Sequence, residues 1–227
     1  MARKPHKDKF RGTGSLRRRT AQRDPRDRVL IVCEGAKTEP NYLKELMRSL
    51  NLTSVNVEVY GRECDSSPVS VVNFAKNLYD KDRDYDRVYC VFDLDSHQSY
   101  NQALEKIRNM RLKKGHSMNA ITSIPCFEFW LLLHFQYTTG KFPKTGNKSA
   151  CDTLISKLKK HIPNYQKRSE GIFTKTKGKL PTAIANAKKV EKYHRTSDTD
   201  NHPSTKVYQL VEYLQKLKKF VHQKNQS

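Results

Sequence analysis

Three carboxylates follow two short apolar segments of the chain. Glu34 comes directly after VLIVC at 29–33, and Asp93 and Asp95 come after VYCVF at 88–92. Side chains two residues apart on an extended backbone point to the same side, so Asp93 and Asp95 can bind one ligand together. Clustered carboxylates raise one another's pKa unless a cation is bound. Because oxygen ligands with little histidine suit hard divalent cations, this pattern predicts a Mg²⁺ or Mn²⁺ site.

A metal ion at such a site can act on phosphodiesters. It can polarise a phosphoryl oxygen, activate a water molecule or stabilise a leaving oxygen. The other interpretation is structural, because an aspartate at the end of a strand is often a turn residue or a helix cap. We favour the metal site because Glu34 and the D-x-D pair both follow core strands in a strongly basic chain.

The elements that would position these acids alternate along the sequence. Short apolar runs predict strands, and apolar residues at helical spacing predict helices between them. The predicted strands are 29–33, 55–61, 88–92 and 118–124, and the predicted helices are 39–50, one opening at Pro68, 98–113 and 127–135. This order, βαβαβαβα, predicts an α/β fold with a mostly parallel sheet flanked by helices. Ligands bind beyond the carboxyl ends of such strands, which is where Glu34 and Asp93 fall.

Three regions of the chain differ in composition. Residues 1–28 are a basic arm with almost no large apolar residues, so we expect a flexible segment. Residues 29–135 form the predicted α/β domain. Residues 136–227 are predicted to be a basic helical appendage packed on that domain. The helices predicted in this appendage span 149–161, 182–194 and 204–222.

The chain of 227 residues carries a formal net charge of +21. So strong a positive balance favours a polyanionic partner, and nucleic acid is the first candidate; a solubilising lysine-rich surface is the alternative. The basic residues that we expect to bind substrate are Arg17, Arg18, Arg19, Lys175 and Lys177. Phe142, Tyr165 and Phe173 lie in or beside the lysine-rich loops 141–148 and 167–179 and are candidates for stacking on a base.

Further polar residues lie close to these motifs in the sequence. Lys37 is a candidate contact for a scissile phosphate. His97 is a candidate for the phosphate or the leaving group, and a turn residue is an equal alternative. Glu128, in an otherwise apolar helix, is either a further metal ligand or the ion-pair partner of a basic residue. Glu39 is interpreted as a complement to a helix dipole. His134 lies about 240° around the helix from Glu128, so the two are not expected to bind one ion, and His134 is interpreted as a satisfied core or interface histidine.

The cysteine pattern indicates the redox state of the cellular compartment in which the protein works. Five cysteines occur, and none forms a C-x-x-C pair. An odd number without metal-ligand spacing predicts reduced thiols in a cytoplasmic protein. No apolar run reaches 18 residues, so we expect no membrane span. The basic N-terminus lacks the apolar segment of a secretory signal.

Longer segments carry a family resemblance. VLIVCEG at 29–35 and VFDLD at 91–95 resemble the signature motifs of the Toprim fold. The chain is similar in particular to the RloB-like proteins, the family that includes the abortive-infection protein AbiLii. The segments that carry this similarity are CEGAKTEPNYL (33–43), VFDLDSH (91–97), SIPCFEFWLLLHF (123–135) and NHPSTKVYQLV (201–211). The third of these segments is far more distinctive than D-x-D alone.

The resemblance implies a Toprim-like catalytic site. Glu34 would be the acid/base or metal-binding glutamate, and Asp93 and Asp95 would be Mg²⁺ ligands. It also implies a role in bacterial anti-phage defence, beside an ATPase partner encoded in the same locus.

The leading hypothesis is therefore a Mg²⁺-dependent nuclease that hydrolyses RNA, tRNA or DNA. A non-catalytic nucleic-acid-binding subunit of a defence complex explains the charge equally well. A phosphatase is disfavoured, because its D-x-D motif usually ends the first core strand, and the chain is too short for the added domains of a topoisomerase or primase. The sequence leaves open the substrate class, the number of metal ions and the oligomeric state.

Overall fold

A computed structural model of the chain describes residues 27–53, 57–61, 67–94, 99–197 and 202–224. The strands are β1 (Val29–Cys33), β2 (Val57–Tyr60), β3 (Arg87–Asp93), β4 (Ser117–Ile124) and β5 (Ser204–Thr205). The helices are α1 (Thr38–Ser49), α2 (Pro68–Lys81), α3 (Ser99–Arg108), α4 (Glu128–Leu133), α5 (Ala150–Leu158), α6 (Ile172–Thr176), α7 (Leu180–Ser197) and α8 (Val207–Lys224).

The five strands form one sheet in the order β2-β1-β3-β4-β5. The first four are parallel, and the two-residue strand β5 runs antiparallel to β4. β1 lies directly beside β3, with Val29 opposite Arg87 and Cys33 opposite Val91. The predicted α/β class with a mostly parallel sheet flanked by helices is confirmed. The two strands that precede the acidic motifs are neighbours, so their carboxyl ends meet at one edge.

Both faces of the sheet are covered by helices, which explains why β1 and β3 are continuous apolar runs. Alternate residues of β1 enter different cores because successive side chains of a strand point to opposite faces. Ile31 and Cys33 belong to a large core with residues of α1, α4 and α8. Leu30 and Val32 belong to a smaller core with residues of α2 and α3.

The C-terminal helices are part of the larger core. α5, α7 and α8 contribute buried side chains to the same cluster as β1. The apolar stripe of α8 is almost fully buried and consists of Val207, Leu210, Val211, Leu214 and Leu217. The division of the chain near residue 136 stays a prediction.

The structure differs from the sequence-based expectations in the lysine-rich loop and at the end of the basic arm. The segment 167–179, expected to be a lysine-rich loop, contains α6 and a 3-10 helix at Lys177–Lys179. Residues 1–26 of the expected flexible arm lie outside the described part of the chain. At the end of that arm, Arg28 is anchored, because its guanidinium forms ion pairs with Glu58 (2.8 Å) and Asp82 (2.6 Å).

None of the described helices combines the length and the apolarity needed to cross a bilayer.

Candidate metal centre at the carboxyl edge of the sheet

Glu34 and Asp93 are joined by a hydrogen bond at the tips of β1 and β3. The backbone N–H of Glu34 donates to the carbonyl oxygen of Val91 at 2.9 Å, which extends the parallel ladder by one residue. The backbone N–H of Asp93 then donates to Glu34 Oε2 at 3.0 Å. Two residues 59 positions apart are therefore held together, as strand adjacency predicts.

The segment after β4 brings a third carboxylate to this edge. The backbone N–H of Phe127 donates to Asp93 Oδ2 at 3.1 Å, so the start of α4 is fixed against the tip of β3. Glu128 is the next residue and is 3 % exposed. The bond from the neighbouring Phe127 N–H places Glu128 next in the chain to a residue that contacts Asp93, and the charge of Glu128 contributes to the raised pKa of Asp93.

Glu39 is the fourth carboxylate of the cluster. It lies in the first turn of α1, as a complement to the helix dipole would, but it is also buried. Gly35 makes room for it, because a Cβ atom on Gly35 would lie 1.9 Å from Glu39 Oε2. The glycine of the C-E-G motif therefore permits the close approach of the Glu39 side chain. Hereafter the acid cluster means Glu34, Glu39, Asp93 and Glu128.

The acid cluster has the electrostatics of a cation site. Burial, together with the charges of Glu128 and Glu34, raises the pKa of Glu39 to about 7, and Lys167 partly opposes this shift. Burial and the charges of Glu39, Glu128 and Glu34 raise the pKa of Asp93 well above its usual range. Like charges that share a buried site repel one another in this way unless a cation neutralises them.

Glu128 is supported from the C-terminal region. The Tyr165 hydroxyl donates to Glu128 Oε1 at 3.0 Å and is also hydrogen-bonded to Thr38. Burial and the charge of Glu128 raise the pKa of the Tyr165 hydroxyl, so it stays protonated and acts as a donor. The role expected for Tyr165 as a base-stacking residue is wrong, because its side chain is 1 % exposed.

The other two aromatics proposed for base stacking are also buried. Phe142 and Phe173 belong to the larger core, where apolar contacts remove them from solvent. Their sequence surroundings are lysine-rich, but their side chains point inward. The expectation of a stacking role is therefore wrong for all three residues.

A disulfide lies beside the cluster. Cys126 and Cys151 are bonded, which corrects the expectation of reduced thiols for these two cysteines; Cys33 and Cys90 are buried and are not part of a disulfide. Cys151 Sγ lies 3.6 Å from Glu128 Oε2, as a contact, because a disulfide sulfur has no proton to donate. These three side chains are close enough to share a metal ion only if the disulfide is reduced.

Lys37 and Lys167 are basic residues near this edge. Lys37 precedes α1 and is exposed, within three residues of Glu34. The loop that carries Lys167 contacts the start of α1, because the backbone N–H of Arg168 donates to Thr38 Oγ1 at 3.1 Å. Lys175 and Lys177 are exposed on α6 and the following 3-10 helix. Their role in substrate binding stays a prediction.

Several predicted site residues lie outside the described part of the chain. These are Asp95, His97, Arg17, Arg18 and Arg19. Asp95 follows Asp93 by two residues, so the D-x-D pair is described through its first member only. The predicted roles of these five residues stay predictions.

His134 does not belong to the cluster, as expected. It is 1 % exposed, and its Nδ1–H donates to the carbonyl oxygen of Trp130 at 3.0 Å. Its Nε2 lies 3.3 Å from the Tyr42 hydroxyl and accepts from it in this tautomer. Burial lowers the pKa of His134 to about 4, so the ring is neutral. The prediction of a satisfied core histidine is confirmed.

The acid cluster offers the ligand type of a hard divalent cation, although among the described residues only Cys126, Glu128 and Cys151 have three ligand atoms that all lie within 4.8 Å of one another. The ligand atoms of the acid cluster are carboxylate oxygens, which Mg²⁺ and Mn²⁺ prefer. The repulsion that raises the pKa of Asp93 and Glu39 is the cost that a bound cation would remove. The sequence interpretation missed Glu39 as a member, although the spacing E-G-x-x-x-E from 34 to 39 puts a second acid within one helical turn of the strand end. It also missed Lys167, for which no local pattern distinguishes one lysine among many.

Comparisons with known proteins identify one family. The sequence model of the RloB-like protein family matches residues 29–214, which include every described element from β1 to β5 and the first part of α8. No curated protein and no solved structure matches the chain.

Proposed function

Because the chain belongs to the RloB-like protein family and brings four carboxylates together at the carboxyl edge of its sheet, we propose that it is a Mg²⁺-dependent nuclease of the Toprim-like type. The reaction is hydrolysis of phosphodiester bonds in RNA, including tRNA, or in DNA. Mn²⁺ is the alternative metal.

The observation that carries this proposal is the convergence of the acid cluster. Glu34 and Asp93 are hydrogen-bonded at neighbouring strand ends, Glu128 follows the residue whose N–H binds Asp93, and Glu39 occupies the space beside Gly35. Their mutual repulsion contributes to the raised pKa of Glu39 and of Asp93. A protein gains nothing in stability from such repulsion. A cluster of this kind is a candidate for function, because perturbed titratable groups concentrate at functional sites.

The residues have distinct roles in this proposal. Glu34, Asp93 and Asp95 are the catalytic acids, and Glu39 and Glu128 complete the metal-binding set. A divalent cation held there would polarise a phosphoryl oxygen and activate a water molecule. Phe127 N–H orients the Asp93 carboxylate, and Tyr165 orients that of Glu128. Glu34 exchanges a proton with the attacking or leaving oxygen.

Cations of the chain complement the substrate. Lys37 and Lys167 lie at the acidic edge and would bind the phosphate, whose developing negative charge they stabilise. The net charge of +21 supplies the wider attraction for a polyanion. The family resemblance extends the proposal to anti-phage defence and to an ATPase partner that controls cleavage.

The proposal is tested by cleavage assays on the purified chain. Total tRNA and plasmid DNA are incubated with 5 mM Mg²⁺ or Mn²⁺, with and without chelator, and the products are resolved on gels. We expect metal-dependent cleavage by the native chain and its loss in Glu34→Ala and Asp93→Ala. Glu105→Gln is the matched control, because Glu105 is an exposed carboxylate on α3, away from the cluster.

The outcomes separate the alternatives. Cleavage that persists in both alanine variants would place the catalytic site elsewhere. No cleavage, combined with calorimetric Mn²⁺ binding that Asp93→Ala abolishes, favours a nuclease that waits for its partner. No cleavage and no metal binding favours a non-catalytic nucleic-acid-binding subunit.

A further inference from the structure

A second group of aromatic and basic side chains lies beyond the C-terminal end of α4. The Phe135 ring is stacked on the His161 ring, with centroids 5.0 Å apart and planes 8° from parallel. His161 Nε2 lies 3.3 Å from Gln136 Oε1, which holds the imidazole in place. Lys179 Nζ lies 5.8 Å from the Phe135 ring centroid. With Tyr137, these residues form what we name the aromatic surface: Phe135, Tyr137, His161 and Lys179.

The aromatic surface faces solvent. Tyr137 is 46 % exposed. Among the described residues, the only other exposed large apolar side chain is Tyr193, at 41 %. His161 is exposed as well. One face of the imidazole covers Phe135, so the opposite face is open to a further flat ring. Stacking of this kind needs a partner with a π-face.

The charge around the aromatic surface selects an anionic partner. Between residues 135 and 181 the chain has eleven lysines and arginines but only two acidic residues, Asp152 and Glu170. Lys159 and Lys160 directly precede His161, and both are exposed. Open aromatic faces among lysines match nucleic acid, whose bases stack while its phosphates contact the cations.

We propose that the aromatic surface binds an unpaired stretch of nucleic acid, with bases stacked on His161 and Tyr137 and the backbone along the neighbouring lysines. In a duplex each base face is covered by its neighbours, so only unpaired bases offer a free face. An acidic polypeptide would satisfy the lysines but would leave the aromatic rings exposed.

The aromatic surface is within reach of the acid cluster. Phe135 follows Glu128 by seven residues, which is two helical turns, or about 10 Å along a helix axis. A strand that stacks on His161 can therefore continue toward the carboxylates. This extension rests on the proposed nuclease function, and it assigns that nuclease a substrate with an unpaired segment, such as a loop or an end. The binding itself does not depend on catalysis.

The test is binding without cleavage. Fluorescence anisotropy in EDTA measures the affinity of the full chain for labelled 12-nucleotide oligoadenylate, as RNA and as DNA, and for a blunt 12-base-pair duplex. We expect Tyr137→Ala and His161→Ala each to weaken single-strand binding by about 5-fold or more, the equivalent of roughly 1 kcal/mol of lost stacking. Duplex binding should change less than 2-fold.

Two further variants sharpen the comparison. His161→Tyr keeps a ring at the position and is expected to retain single-strand affinity. Tyr193→Ala is the matched control, because it removes the other exposed tyrosine and should leave affinity unchanged. The two oligoadenylates show whether the 2′-hydroxyl contributes. Thermal melts of all four variants confirm that each one folds.

Clear results would overturn the proposal. If the alanine variants lose as much affinity for the duplex as for the single strands, the aromatic surface does not bind by stacking on unpaired bases. Competition by polyglutamate as effective as that by oligoadenylate would point to an acidic protein partner instead. Unchanged affinity in both alanine variants would remove the surface from binding altogether. Selective binding together with no cleavage and no Mn²⁺ binding would support this inference while the nuclease proposal fails.

Discussion

The carboxylate of Glu34 accepts a hydrogen bond from the backbone N–H of Asp93 at 3.0 Å. One acidic motif therefore uses its side chain to hold the main chain of the other. The bond leaves the Asp93 carboxylate free to receive the N–H of Phe127. Charge and hydrogen bonding at Glu34 can be separated by substitution.

Glu34→Gln keeps a side-chain oxygen that can accept from Asp93, but it removes the charge. We expect this variant to lose cleavage by at least about 100-fold, the usual contribution of a catalytic acid or base. Glu34→Ala should lose cleavage to the same extent and should also unfold more easily by about 1 kcal/mol, because it leaves a backbone N–H unpaired. Cleavage rates and urea midpoints of the two variants check this. Native activity in Glu34→Gln would contradict a role for the charge.

Divalent metal should stabilise the native chain. A cation that binds only the folded state raises the free energy of unfolding by about 2.7 kcal/mol at 100 times its dissociation constant. We therefore expect a higher Tm in saturating Mg²⁺ or Mn²⁺ and no such rise for Asp93→Asn. Differential scanning fluorimetry measures it, with Glu105→Gln as the control. Equal shifts in all three proteins would indicate a general salt effect.

Glu39→Gln should stabilise the metal-free chain in a pH-dependent way. The folded pKa of Glu39 is about 7, above its usual 4.5, so its contribution to stability is greatest below pH 4.5 and is lost as the pH rises through 7. Replacing the acid by an amide removes this loss. We expect a gain of about 1–3 kcal/mol at pH 8 and little change at pH 4.5, since one pKa unit corresponds to about 1.4 kcal/mol. Denaturant titrations in EDTA at both pH values measure the gain. An equal gain in stability at pH 4.5 and pH 8 would show that the gain does not come from removing the Glu39 charge.

The disulfide between Cys126 and Cys151 should contribute to stability. It closes a loop with a sequence separation of 25, for which the chain-entropy model gives about 3 kcal/mol. Reductant should lower the urea midpoint of the native chain but not that of a Cys126→Ser/Cys151→Ser double variant. Mass spectrometry after alkylation counts the free thiols. Alkylation of Cys126 and Cys151 without prior reduction would show that the bond is not formed.

His134 should make the fold sensitive to acid. Its folded pKa is about 4, below the usual 6.5, so its contribution is complete above pH 6.5 and is lost as the pH falls toward 4. The loss approaches about 3 kcal/mol at pH 4. His134→Gln should remove this dependence at a fixed cost in hydrogen bonding. Stability is measured against pH for the native chain and for His134→Gln. The carboxylates titrate in both proteins, so the difference between the two curves gives the contribution of His134. Parallel curves would contradict that contribution.

The sequence alone was sufficient for the architecture and part of the site. Strand and helix periods are local, so β1 to α4 follow from short segments, and the rules of parallel sheets place Glu34 and Asp93 at the carboxyl ends of their strands. That β1 and β3 are neighbours is a finding of the structure. The helical angle between His134 and Glu128 excludes a shared metal ion, whereas the neutral state of His134 follows from its burial in the structure. The roles of Asp95 and His97 stay predictions, because those residues lie outside the described part of the chain.

Only the tertiary structure decided which distant side chains share an environment. Glu39 joins the acid cluster because Gly35 leaves room for it, and Tyr165 reaches Glu128 across 37 positions. Burial depends on such long-range packing and not on local composition. Lysine-rich surroundings therefore suggested exposure for Tyr165, which is buried, whereas Tyr137 is exposed. The pairing of Cys126 with Cys151 has the same origin, since proximity of two thiols is set by the fold that brings α5 against α4.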